Sequence, residues 1–219
     1  MNVKYSHCQI ALFAKEPVLG RVKTRLHPAL GVHGALNIYK VLLGRVSTML
    51  KRSNLANWSL WANSNASHEF FLNICNSKNI FNQQGADLGQ KMNFAITQTL
   101  TQAGVEQVIV IGADCPAMDP EYLESAILAL DAGSDVVIGP AEDGGYVLIG
   151  MRCSMPELFE GINWGSGEVL EATLLKLQEL DVSYQLLSPL WDVDRPEDLA
   201  RLSELSPSLE GFEGFVKTC

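Results

Sequence analysis

Asp114 stands where a run of four apolar residues, Val108 to Ile111, gives way to Gly112 and Ala113, with Pro116 just beyond. The run has the composition of a strand buried on both faces. A carboxylate delivered at the end of such a strand can bind a hard divalent cation, which takes oxygen ligands and completes its shell with phosphate oxygens and water. It can equally be a turn-forming aspartate. Two further acids, Asp192 and Asp194, lie in "PLWDVDRPEDL" (189–199), just before a helical pattern. Asp192 reads equally as a ligand or as a turn or helix-start residue. Of the 16 Lys and Arg, four (Lys15, Arg21, Lys23 and Arg25) crowd into residues 15–25, opposed by Glu16 alone. Cations clustered after a strand suggest an anion site, where Gly20 would let backbone N–H groups approach phosphate oxygens. A solvated basic loop is the plainer alternative. Together the three segments compose a metal–phosphate site, in which the cation neutralises charge developing on phosphate during transfer.

The familiar signatures of other chemistries are absent. "GRVKT" lacks the spacing and Gly-Lys pair of a P-loop, and no G-x-G-x-x-G follows a strand. Neither H-E-x-x-H nor G-x-S-x-G occurs. "DVDRP" differs from the D-x-D-x-T of haloacid-dehalogenase-like phosphatases by its late position and its proline. The four histidines share no spacing, and His27 before Pro28 reads as a loop residue.

The elements that must position these residues alternate. Strands are predicted over 8–15, 58–63, 108–111, 135–139, 145–150 and 183–188. Helices are predicted over 32–51, 87–104, 119–133, 166–180 and 195–205. Asp119 is the expected N-cap of its helix, with Pro120 at the first helical position and Gly133 just past the end. Alternation of this kind implies an α/β fold with a mostly parallel sheet covered on both faces, where ligands gather at the carboxyl ends of strands.

With 219 residues, 47% hydrophobic and 19% charged, the chain is long enough for a substantial core and is read as one domain, 1–219. A net charge of −9 argues against a nucleic-acid-binding surface. Cys8, Cys75, Cys115, Cys153 and Cys219 form no C-x-x-C pair, the usage of a reducing compartment. No signal peptide or membrane-spanning run is apparent, so a cytoplasmic protein is expected. Homo-oligomer formation is left open.

In order, "FAKEPVLGRVKTRL", "QQGADLGQKM", "GADCPAMDP", "GPAEDGGYVLIG", "INWGSGEVLEAT" and "WDVDRPEDL" resemble a family of bacterial glycosyltransferase-A-like proteins. This family, often labelled arsenosugar-biosynthesis-type glycosyltransferase, sits in the nucleotide-diphospho-sugar transferase superfamily. Its relatives include phospholactate guanylyltransferases and molybdenum-cofactor nucleotidyltransferases. The resemblance spans about Ile10 to Leu199 and implies a three-layer α/β/α unit of the GT-A type whose N-terminal half binds nucleotide. It assigns Lys15, Gly20, Arg21, Lys23 and Arg25 to the nucleotide phosphates. Asp114 and Asp194 would hold Mg2+ or Mn2+, with Asp192 as a further candidate. Gln84, Gly85 and Asp87 would lie near the base or ribose, unless they simply feed a helix capped by Asp87. Asp143, Gly144, Gly145 and Trp164 would form the acceptor side. There Asp143 binds a hydroxyl or acts as a base, Gly144 serves equally as a turn residue, and Trp164 equally as core. Asp114, Lys23 and Asp143 are the expected catalytic residues, and Asp114→Asn is expected to leave thermal stability nearly intact.

Three functions follow. One is glycosyl transfer from a nucleotide sugar to a small-molecule acceptor. The second is nucleotidylyl transfer from a nucleoside triphosphate with release of pyrophosphate, which suits a single acid at the strand end in place of D-x-D. The third is nucleotide binding without turnover. The motif order places glycosyl transfer first.

Overall fold

The computed structural model describes residues 3–205, so Cys219 lies outside the described residues. Short apolar runs form a seven-stranded sheet: β1 (Cys8–Ala14), β2 (Asn57–Ala62), β3 (Ile80–Asn82), β4 (Gln107–Ile111), β5 (Val136–Pro140), β6 (Tyr146–Met151) and β7 (Tyr184–Leu186), in the spatial order β3-β2-β1-β4-β6-β5-β7. Every neighbouring pair is parallel except the two that involve β6, which runs against β4 and β5. The reversal follows from the five-residue connection 141–145 between β5 and β6, which is too short for the helical crossover that a parallel pair requires.

The central strands are apolar on both faces because helices cover both. On one face Ile10, Leu12, Ile109, Ile111 and Val137 pack against α1 (His27–Ser53) and α4 (Pro120–Asp131). On the other, Ala11, Val108, Val110, Val136, Ile138 and Ile149 meet α3 (Leu88–Leu100) and α5 (Val169–Glu179). Helix α1 is broken at Gly31, with φ 65° and ψ 174°, so its long regular stretch begins at Val32, where the apolar spacing predicts a helix. Asp119 caps α4, accepting from the Tyr122 N–H at 2.8 Å. Helix α5 begins at Val169, three residues later than predicted, because a turn carrying Gly165 and Gly167 intervenes.

Besides short 3-10 turns, one α-helix and one strand among the described residues were not predicted. These are α2 (Glu69–Ile74) and β3, and the closing helix α6 (Asp198–Glu204) is shorter than expected. Both unpredicted elements are too short to show a hydrophobic period. Among the described residues no helix is long and apolar enough to cross a membrane, and Cys8, Cys75, Cys115 and Cys153 are free.

Strand β1 sends its chain to β2 on one side and has β4 on the other. The crevice between the carboxyl ends of β1 and β4 is therefore a switch point, where open α/β sheets place ligands.

Candidate functional site

The basic loop leaves β1 under tight control. The hydroxyl of Tyr39, buried on α1, accepts from the Lys15 N–H and donates to the Lys15 carbonyl, both at 2.7 Å. Burial, with the Asp114 charge adding to it, holds the Tyr39 hydroxyl above its ordinary range, so it stays protonated and able to donate. Gly20 then turns the chain at φ 77°, and the Arg21 N–H closes the turn on the Val18 carbonyl at 3.0 Å. Val22 and Leu26 plug into the core and hold Lys23 between them.

Lys23 adopts a left-handed backbone, φ 49° and ψ 43°, and its side chain is only 4% exposed. Its ammonium lies 2.9 Å from Asp114 Oδ2 and 3.9 Å from Asp194 Oδ1. The Arg25 guanidinium pairs with the other oxygen of Asp194.

Asp114 stands at the third position past β4. The Val193 N–H donates to its backbone carbonyl at 3.0 Å, which stitches the strand-end loop to the segment carrying Asp192 and Asp194. That segment is fixed from below by Asp198, whose carboxylate accepts from the Asp194 and Arg195 N–H groups at 2.9 and 2.7 Å. Asp114 Oδ1 is buried without a hydrogen-bond partner. Burial first, then Asp143, with smaller contributions from Asp114 and Asp194, pushes the Asp192 carboxyl up to about 6, against the opposing pull of Lys23. Burial also raises the neighbouring Cys115 thiol to about 12, so it is no nucleophile at neutral pH.

The far wall comes from the β5–β6 hairpin and the turn before α5. Asp143 Oδ1 accepts from the Gly145 N–H at 3.0 Å. Gly144 has φ 90°, and a Cβ there would fall 1.9 Å from the Gly167 carbonyl oxygen, so two backbones meet at that point. The Leu170 N–H donates to the Gly144 carbonyl at 2.8 Å and locks the hairpin to α5. The Trp164 indole lies against Gly89, where a Cβ would come within 2.6 Å of the ring, and meets the Tyr146 ring edge-on at 6.4 Å.

Lys15, Arg21, Lys23, Arg25, Asp114, Asp143, Gly145, Trp164, Asp192 and Asp194 thus line one cleft of about 470 Å3, joined by Tyr39, Leu88 and Tyr146. Five other candidates stand outside its lining. Gly20 shapes the turn. Gly144 makes the backbone contact just described, which is its turn role. Gln84 is exposed, and Gly85 lies against Gln90, where a Cβ would be 2.6 Å from the Gln90 Cβ. Asp87 caps α3, accepting from the Gln90 N–H at 2.8 Å, a role that turns its carboxylate to the helix.

Tyr39 and Gly89 were missed. Tyr39 lies on the buried face of its helix, and a buried hydroxyl needs a partner. Gly89, one residue inside a helix that it destabilises, marks a close approach.

Among the described residues no group of three or more His, Cys, Asp or Glu is arranged to hold a metal ion. A Mg2+-type ion needs only one or two protein carboxylates, with phosphate and water supplying the rest. Asp114, with its unpartnered oxygen, and Asp192, crowded by other acids, fit that role. Asp194 differs in that both of its oxygens face cations, Oδ2 the Arg25 guanidinium and Oδ1 the Lys23 ammonium, whereas Asp114 keeps Oδ1 unpartnered.

A bacterial family described as "uncharacterized protein conserved in bacteria (DUF2064)" matches residues 46–166. No curated protein matches the sequence. Among solved structures, a Desulfovibrio desulfuricans protein carrying the provisional name nucleotide-diphospho-sugar transferase is 28% identical, with a TM-score of 0.84 over 97% of each chain. A cytidylyltransferase from Leptospira borgpetersenii is 14% identical, with a TM-score of 0.58 over 97% of this chain and 93% of its own. Rv0371c from Mycobacterium tuberculosis, solved in complex with manganese, is 15% identical, with a TM-score of 0.56 over 91% of this chain and 98% of its own. At such identities the last two speak for the fold alone. That fold is the three-layer, mostly parallel sheet of the nucleotide-diphospho-sugar transferase type.

Proposed function

The chain belongs to the bacterial DUF2064 family, and from that premise we propose that it is a divalent-metal-dependent glycosyltransferase that takes a sugar from a nucleotide sugar. Its likeness to the Desulfovibrio protein supports the transferase class. The observation that carries the finer reading is the cleft itself, in which cations from one loop face carboxylates from three others across the carboxyl ends of the strands.

In this reading Lys15, Arg21 and Arg25 grip the diphosphate of the nucleotide sugar, with Arg21 and Arg25 available for forked contacts to phosphate oxygens. Asp114 and Asp192 would hold Mg2+ or Mn2+, which supplies neutralisation of the charge that builds on the departing diphosphate. Asp143 receives the acceptor: its hydrogen bond from Gly145 fixes the carboxylate, leaving oxygen lone pairs to orient or deprotonate an acceptor hydroxyl. Trp164 offers a flat apolar wall suited to a sugar ring. The bond that breaks joins the sugar's anomeric carbon to the diphosphate oxygen. The bond that forms joins that carbon to the acceptor oxygen, whose proton leaves through Asp143 or water.

Nucleotidylyl transfer is the second reading. It is favoured by one specific feature, a lone strand-end acid partnered by acids from a later loop. The two reactions differ in their leaving group. Incubation with pooled nucleotide sugars, nucleoside triphosphates and Mn2+ is expected to release a nucleoside diphosphate. Release of pyrophosphate would replace the first reading with the second, and metal-dependent binding without either product would leave a nucleotide-binding protein. Arg21→Ala is expected to weaken nucleoside diphosphate binding about tenfold by calorimetry, the loss of one charge-assisted contact.

A further inference from the structure

We infer that Lys23 is a tethered cation that keeps divalent metal out of the cleft until a diphosphate arrives, making metal and nucleotide binding mutually dependent. The inference rests on the metal–nucleotide reading above and goes beyond it, because that reading gives Lys23 no part.

Three observations carry it. The first is position. The Lys23 ammonium sits 2.9 Å from Asp114 Oδ2 and 3.9 Å from Asp194 Oδ1, against the carboxylate best suited to a metal. Arg25 of the same loop pairs instead with Asp194. A divalent ion approaching Asp114 meets a positive charge already in contact with that carboxylate, and the two repel strongly in a partly buried setting.

The second is construction. Lys23 is a non-glycine residue held at φ 49°, its side chain is 4% exposed, and its neighbours Val22 and Leu26 are buried. A left-handed backbone in a residue with a side chain is strained and persists only where its surroundings impose it. A buried ammonium cannot fall back on water, so it must always have an anionic partner. It can leave Asp114 only for another anion.

The third is charge balance. Four cations, Lys15, Arg21, Lys23 and Arg25, and four carboxylates, Asp114, Asp143, Asp192 and Asp194, line the same cleft. A divalent cation alone, or a diphosphate alone, upsets that balance. The two together nearly preserve it, and the diphosphate gives Lys23 the alternative partner that frees Asp114. Coupling of this kind is reciprocal: each ligand raises the affinity for the other by the same factor.

The test uses Mn2+ alone and inorganic pyrophosphate alone. Mn2+ binding is followed by electron paramagnetic resonance, and metal-free pyrophosphate binding by calorimetry, on the wild type and Lys23→Met. The variant is expected to bind Mn2+ at least about tenfold more tightly and pyrophosphate at least about tenfold more weakly. Opposite signs are the signature, since a merely structural role for Lys23 would weaken both. Lys23→Gln, which keeps a donor for Asp114 without the charge, is measured alongside and stands in if Lys23→Met does not fold. Unchanged or weaker Mn2+ binding by the neutral variants, with pyrophosphate still bound by the wild type, would overturn the inference and leave the metal–nucleotide reading standing. Failure of every protein to bind either ligand would overturn both.

Discussion

The two ends of the sheet handle charge in opposite ways. At the amino ends of the strands, charged groups pair off locally. Lys4 and the Tyr5 hydroxyl share Glu124, while His7 and the Gln107 amide share Asp131 at 2.9 and 2.6 Å. At the carboxyl ends, Asp192 is crowded by three other acids, one oxygen of Asp114 has no partner, and a single buried ammonium stands between Asp114 and Asp194. The first arrangement closes the fold. The second leaves electrostatic demand unmet, which is how a site that awaits ligands differs from one that only holds a protein together.

The sharpest test of that contrast is Asp114→Asn. Mn2+-dependent nucleoside diphosphate binding should fall about a hundredfold or more by calorimetry. The structure also revises the expectation of unchanged stability, because the substitution strips the buried Lys23 of its nearest counter-charge. A loss of about 1–3 kcal/mol in denaturant unfolding is expected. Gly144→Ala comes next. Its Cβ would collide with the Gly167 carbonyl at 1.9 Å in a backbone of φ 90°, so a loss of about 2 kcal/mol or more should appear in thermal melts.

A smaller effect should appear with pH. Folded Asp192 holds its proton up to about 6, against an ordinary value of 3.8. Between those values the folded chain binds a proton that the unfolded chain has released, so its contribution to stability falls as pH rises through that window. Asp192→Asn should flatten that part of the curve of melting temperature against pH. Smallest of all, Glu124→Gln at the opposite end should leave nucleotide and metal binding unchanged and move the melting temperature no more than an ordinary surface substitution. An effect of Glu124→Gln on Mn2+ binding would break the comparison.

Much of this frame was legible in the residues. The apolar run before Asp114 marked a doubly buried strand, Asp119 and Pro120 marked a helix start, and the apolar stripe began at Val32 because Gly31 breaks the helix there. What escaped notice depends on pairing. Nothing local in "VKT" distinguishes Lys23 from Arg21 or Arg25, because its inward aim follows from Val22 and Leu26 finding the core and from a left-handed backbone that no side chain advertises. Asp87 and Gly85 stood open between a ligand loop and a helix entry because a cap and a close backbone approach use the same residue types as a binding loop, and Asp87 does cap α3. The direction of β6 was within reach as well, since the gap between the strands predicted over 135–139 and 145–150 is too short for a helical crossover and admits a hairpin.

That reversed strand also governs how the cleft can change. Because β6 runs backwards, the cleft-lining residues Asp143 and Gly145 sit on a hairpin only five residues long, 141–145, welded at both ends to sheet hydrogen bonds. An insertion there would break the contacts that lock Gly144 to Gly167 and Leu170. Diversification of what this scaffold accepts therefore falls to replacement of side chains along that wall, with its length held constant.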